Sequence, residues 1–134
     1  MGVEFQKVPI DNSYGKPIYT IYVVIENGRS RFTDGLAKLT EIDKKDLRDL
    51  ISRMATVENF KSKQIRHCLK KYSYGEIRPL PHRFFYFQKC GKNYVFFEYE
   101  LKKKDSLHDN IYKRIEKTKV RYEKEFQKFI SGNC

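Results

Sequence analysis

The stretch GEIRPLPHRFFYFQKCGKNYVFFEYELKKK, residues 75–104, decides the fold. Gly75-Glu76-Ile77-Arg78 meets a Pro79-Leu80-Pro81 corner and gives way to His82-Arg83-Phe84-Phe85-Tyr86-Phe87. Cys90-Gly91-Lys92-Asn93 reads as a hairpin loop, and Tyr94 to Leu101 runs from it into Lys102-Lys103-Lys104. Aromatic and β-branched residues bounded by Gly, Pro and Asn predict three consecutive short strands, a meander. The run Phe84–Phe87 is aromatic on both faces, as a central strand buried on two sides requires. Arginines at one corner and lysines at the end of the last strand place fixed positive charge on the rim of a sheet.

Working outward, Pro17 opens Ile18-Tyr19-Thr20-Ile21-Tyr22-Val23-Val24-Ile25, a further strand that Glu26-Asn27-Gly28 closes. A short helix follows, with Thr33 as its cap and Phe32, Leu36 and Leu39 on one face. Asp43 is read as the N-cap of a second helix reaching Thr56, in which Leu47, Leu50, Ile51 and Met54 form one apolar stripe. Between Val57 and Tyr74 only Phe60, Ile65 and Leu69 stand out as anchors. A long helix from about Leu107 to Ile130 ends the chain, striped by Ile111, Ile115, Tyr122, Phe126 and Phe129. The expected order is β-α-α-β-β-β-α, an α+β fold on a small antiparallel sheet. It makes one domain, with residues 16–130 as core and residues 1–15 as an N-terminal extension.

The chain of 134 residues is long enough for one core without metal or disulfide support. Ten Tyr and ten Phe can bury a sheet. No apolar run nears the roughly 18 residues that cross a bilayer, and residues 1–15 lack the pattern of a signal peptide. A cytoplasmic, soluble protein is expected. Cys68, Cys90 and Cys134 fit no metal-site spacing and are expected to be free thiols. The net charge of +11 is wholly asymmetric: residues 1–60 hold nine basic and nine acidic side chains, residues 61–134 nineteen and eight. That imbalance points to an anionic partner.

The same residues carry a resemblance. "EIRPLPHRFFYF" at 76–87 resembles the paired-arginine signature of the RelE/ParE toxin superfamily, in particular its RelE- and HigB-like, phage-related branch. "YVFFEYELKKK" at 94–104 is similar to the family's apolar strand ending in a lysine pair, here Lys102-Lys103 or Lys103-Lys104. Ile111 to Tyr122 is similar to the helix that follows it. The resemblance spans about Ile18 to Phe129. It implies the toxin of a type II toxin–antitoxin pair: a ribosome-dependent mRNA endoribonuclease working without metal or cofactor, with mRNA, the ribosome and a cognate antitoxin as partners and no membrane. The chain has Asp105-Ser106-Leu107-His108 where many members have Lys-Thr-Pro, and Glu76 where some have a lysine.

In that chemistry a 2′-hydroxyl attacks phosphorus while cations stabilise the phosphorane. Arg83 is the expected phosphate clamp, against the alternative of an ion pair with Glu76 or Glu98. Arg78 is a second phosphate contact or a strand-edge ion pair. Lys102, Lys103 and Lys104, with Lys103 as the catalytic candidate, face phosphate or solvent, and Lys70 and Lys71 add RNA-binding charge. His82 and His108 are acid–base candidates; His82 could equally stack on a base or fill the Pro81 corner. Tyr112 could stack on a base, act as general base, or simply pack on the sheet. Two other readings remain open: a ParE-like toxin inhibiting DNA gyrase, and a nonenzymatic nucleic-acid or ribosome-binding domain.

Overall fold

The computed structural model describes residues 2–10, 14–58, 60–67, 69, 72–79, 81–101 and 109–131. The order is β1 (Val3–Lys7), β2 (Thr20–Glu26), α1 (Arg31–Leu36), α2 (Glu41–Thr56), β3 (Ile65–Arg66), β4 (Gly75–Ile77), β5 (His82–Lys89), β6 (Asn93–Leu101) and α3 (Asp109–Phe129). These strands form one sheet in the order β1-β2-β6-β5-β4-β3. The α+β class agrees with the sequence reading, but the sheet is larger and mixed. Two strands are added at its edges, and β2 pairs with β6 in parallel while every other pairing is antiparallel.

The N-terminal segment is part of the fold. Val3 and Phe5 alternate with polar neighbours, β1 pairs with β2 from Val3↔Glu26 to Lys7↔Tyr22, and the Phe5 ring meets Phe126 edge-on at 5.0 Å. The helix caps also differ from expectation. Ser30, not Thr33, caps α1 by accepting from the Thr33 amide, and Thr40, not Asp43, caps α2 by accepting from the Asp43 amide. In each case the expected cap lies in the first turn as the donor, three residues on from a hydroxyl that can reach back.

Two cores sandwich the sheet. Phe84, Tyr86, Tyr94, Phe96 and Tyr99 pack with Phe32 of α1 and with Leu47, Leu50, Ile51 and Met54 of α2. On the other face Phe85, Phe87, Val95 and Phe97 pack with Tyr112, Ile115, Tyr122 and Phe126 of α3. Strand alternation divides β5 between them. On β6 the alternation slips: Phe85 pairs with Glu98 but Tyr86 with Phe96, so Phe97 is an extra residue. This bulge is why Phe96 and Tyr99, of opposite parity, share the α1–α2 face. Of the expected α3 stripe, Ile115, Tyr122 and Phe126 are buried, Ile111 is half-buried, and Phe129 is largely exposed; Tyr112 and Lys119 join the buried side.

The hairpin after β5 turns through Cys90 and Gly91 at φ of 57° and 78°. A left-handed pair suits the twist of the strands, and glycine takes it without strain where cysteine does not. Cys90 is disulfide-bonded, which overturns the expectation of a free thiol there; the other two cysteines of the chain lie outside the described residues. An odd cysteine count without a metal-site spacing does not disclose a bond that folding brings about.

Candidate functional site: an arginine cluster at a sheet corner

Glu76 sits in the centre of β4, opposite Phe85 of β5 on one side and Arg66 of β3 on the other. Cross-strand partners share a face, and Phe85 belongs to the α3 side, so Glu76 and Arg66 point there too. Arg78 follows two residues after Glu76, and Arg83 precedes Phe85 by two. Period-two geometry therefore gathers three arginines around one carboxylate.

All three approach the same oxygen. Arg83 Nη1 donates to Glu76 Oε2 at 2.9 Å, Arg78 Nε lies 3.3 Å from it and Arg66 Nε 3.9 Å. Glu76 and Arg83 are fully buried, whereas the Arg78 side chain is 23% and the Arg66 side chain 43% exposed. Burial of an ion pair is tolerable only with close opposite charge, and Arg83 supplies it. Glu76 neutralises one of the three cations, leaving a surplus of two on the exposed side. Arg78 is steadied further: its amide donates to the Gln64 carbonyl at 2.7 Å and its guanidinium to the Lys63 carbonyl at 3.4 Å. Beside this group Glu100, opposite Arg83, is held by Arg114 of α3.

The expected site is thus drawn together in part and divided in part. Arg78 and Arg83 do meet, on one carboxylate. Arg83 takes the ion-pair alternative with Glu76, so it holds the corner and presents nothing to solvent. Tyr112 lies on the same face, with its ring stacked on Tyr72 at 5.9 Å and its backbone carbonyl accepting from the Tyr74 hydroxyl. Its own hydroxyl is buried without a partner among the described residues. That places Tyr112 in the core rather than at an open surface.

His82 faces the opposite way. It is one residue from Arg83 on a strand, so its ring falls on the α1–α2 side, stacked over Tyr99 with Nδ1 2.6 Å from the Tyr99 hydroxyl. Its Nε2 stands 3.9 Å from Asp43 Oδ2. Burial pushes its pKa down, helped by Lys38 and opposed by Asp43. A neutral, buried histidine across the sheet from the arginines cannot share a phosphate with them. The expectation of His82 as acid or base at the arginine site is corrected on that ground: its ring packs on Tyr99 instead.

Lys70, Lys71, Lys102, Lys103, Lys104 and His108 lie outside the described residues. The chain enters 102–108 directly from Leu101, which pairs with His82 beside Arg83. Arg66 is the residue that the sequence reading missed. It belongs to a two-residue strand, too short for any periodicity to announce. Its alternation with respect to Glu76 exists only once β3 has paired with β4. Among the described residues no group of three or more His, Cys, Asp or Glu could hold a metal ion, and no helix is long and apolar enough to cross a membrane. Comparison with family models, with curated proteins and with solved structures finds no match to this chain.

Proposed function

We propose that this protein acts on RNA as a ribosome-dependent mRNA endoribonuclease, the toxin of a toxin–antitoxin pair, receiving the phosphodiester at the Arg66–Arg78 edge of the sheet. One observation carries the reading: three guanidinium groups converge on a single buried carboxylate oxygen at the sheet corner. Donors fixed in advance stabilise charge that grows on a phosphorane without reorganising. Arg66 and Arg78 contact nonbridging oxygens, and Glu76 with Arg83 sets their position. The 2′-hydroxyl attacks the adjacent phosphorus and the 5′-oxygen leaves, so the products carry a 2′,3′-cyclic phosphate and a 5′-hydroxyl. The lysine run and His108 are the candidates for moving the two protons. An acidic partner protein that covers this basic half of the chain is the expected antitoxin, and the ribosome places the activity in the cytoplasm.

The test is a 5′-end map of a reporter mRNA in a bacterial translation extract, with the wild-type protein and with Arg78→Ala. New 5′-hydroxyl ends inside codons, dependent on translating ribosomes and lost in the variant, are expected. An intact message in the presence of soluble, folded protein overturns the nuclease reading. A second reading, a nonenzymatic RNA- or ribosome-binding domain, is favoured by the burial of Arg83 and Tyr112 and by the turning of His82 to the other face. It predicts ribosome association that Arg78→Ala weakens, with no new ends in either reaction.

A further inference from the structure

A cavity of about 690 Å³ opens on the side of the molecule away from the arginines, between α1, α2 and the segment that follows β1. Its buried lining is Phe32, Leu47, Ile51 and Ser52, and Val8 with Leu36 contributes partly exposed walls. The N-terminal extension therefore serves as one side of a pocket, through Val8 and Pro9. The volume falls within the roughly 300–1,000 Å³ typical of small-molecule sites. The charged members of the lining are Lys44 and Arg48, four residues apart and so on one face of α2. No acidic residue lines it among the described residues. Lys44 is 3.4 Å from an exposed Glu41, and Arg48 makes no ion pair among the described residues.

We infer that this cavity binds an anionic amphiphile: a monocarboxylate with an apolar chain of medium length, its head at Lys44 and Arg48 and its chain over Phe32, Leu47 and Ile51. The apolar lining rewards hydrocarbon over any polar ligand. The two cations of the lining, Lys44 beside Glu41 and Arg48 without an ion pair among the described residues, reward an acid over the corresponding alcohol. The floor of Phe32, Leu47, Ile51 and Ser52 is buried while the rim at Pro9, Thr33, Ala37 and Arg48 is exposed, a trough that a chain-like molecule can enter from its open side. The inference stands apart from the RNA reading, because the two sites occupy opposite faces of the sheet.

The test is an NMR titration of the full chain with decanoate and with decanol, both kept below aggregation. Saturable binding of decanoate is expected, with shifts concentrated at Ala37, Leu47 and Ile51, and decanol should bind at least tenfold more weakly. Lys44→Glu with Arg48→Glu should weaken decanoate about tenfold and leave decanol unchanged. Ala37→Trp, at a solvent-exposed position on the lining, should block both without unfolding the protein. Equal affinity for acid and alcohol, shifts that map to α3, or no saturation would each overturn the inference. Saturation by an apolar helical peptide with no response to decanoate would reassign the cavity to a protein partner and overturn it as well.

Discussion

At the scale of single residues, neighbours in sequence have opposite fates because a strand sends them to opposite faces. Arg83 and His82 illustrate it. Arg83 balances a carboxylate that has no access to water, so Arg83→Ala should destabilise the fold by about 3 kcal/mol in denaturant unfolding, the scale of breaking a buried pair. Arg78→Ala and Arg66→Ala, at partly exposed positions, should each cost less than about 1 kcal/mol. A phosphate ligand in direct contact would show the reverse pattern at Arg83, with stability kept and RNA binding lost. His82 makes a prediction in pH. Its folded pKa lies below the ordinary 6.5, so the unfolded chain binds the proton more readily. The stabilisation is complete above about pH 6.5 and declines as pH falls through the window between the unfolded and folded values. Chemical denaturation between pH 5 and 8 should show that slope, and His82→Gln should flatten it.

Elements are held by contacts that the sequence states with uneven clarity. The six-residue helix α1 lies so close to the sheet that a Cβ on Gly35 would come 2.4 Å from Tyr99 Cδ1 and 2.8 Å from Phe84 Cε1. Gly35→Ala should therefore cost about 1–3 kcal/mol by overpacking, read from the shift in unfolding midpoint. In the sequence that glycine counts against a helix; in the fold it is what lets the helix approach. Strands β2, β5 and β6 were legible because long aromatic and β-branched runs are bounded by turn residues, and the short β4 from its place between Gly75 and the Pro79 corner. Helix α2 was legible from Leu47, Leu50, Ile51 and Met54. Strands β1 and β3 were not, since five and two residues at a sheet edge carry little periodic signal and owe their state to the neighbour they pair with. The bulge at Phe97 was equally hidden: it moves Tyr99 to the α1–α2 face and with it the partner of His82. Of the candidate site, the arginines were legible as charge at a corner, but the pairing that buries Arg83 and recruits Arg66 depends on register.

Across the whole molecule, the sheet separates two surfaces of different chemistry: the arginine corner on the α3 side, and the apolar cavity beside α1 and α2. Helix α3 is tied to the end of β2. Arg121 and Tyr122 of α3 both donate to Glu26 at the end of β2, and these bonds, Arg121 first, hold its carboxyl down to about 2. Cys90 is disulfide-bonded, so alkylation followed by peptide mapping should label it only after reduction. Disulfides persist in oxidising compartments and form only transiently in a reducing cytoplasm; labelling of Cys90 without reductant in protein taken from cells would place the chain among reduced proteins. In the proposed function, Arg66 and Arg78 present phosphate-binding charge on a foundation of Glu76 and Arg83. The most direct test is the affinity for a fluorescent single-stranded RNA, by anisotropy over a range of salt, of the wild-type protein and of Arg66→Ala with Arg78→Ala. A loss of about tenfold or more is expected with the protein still folded, and a slope of log affinity against log salt shallower by about 1.4, two phosphate contacts at roughly 0.7 each. An affinity and slope equal to wild type would contradict it.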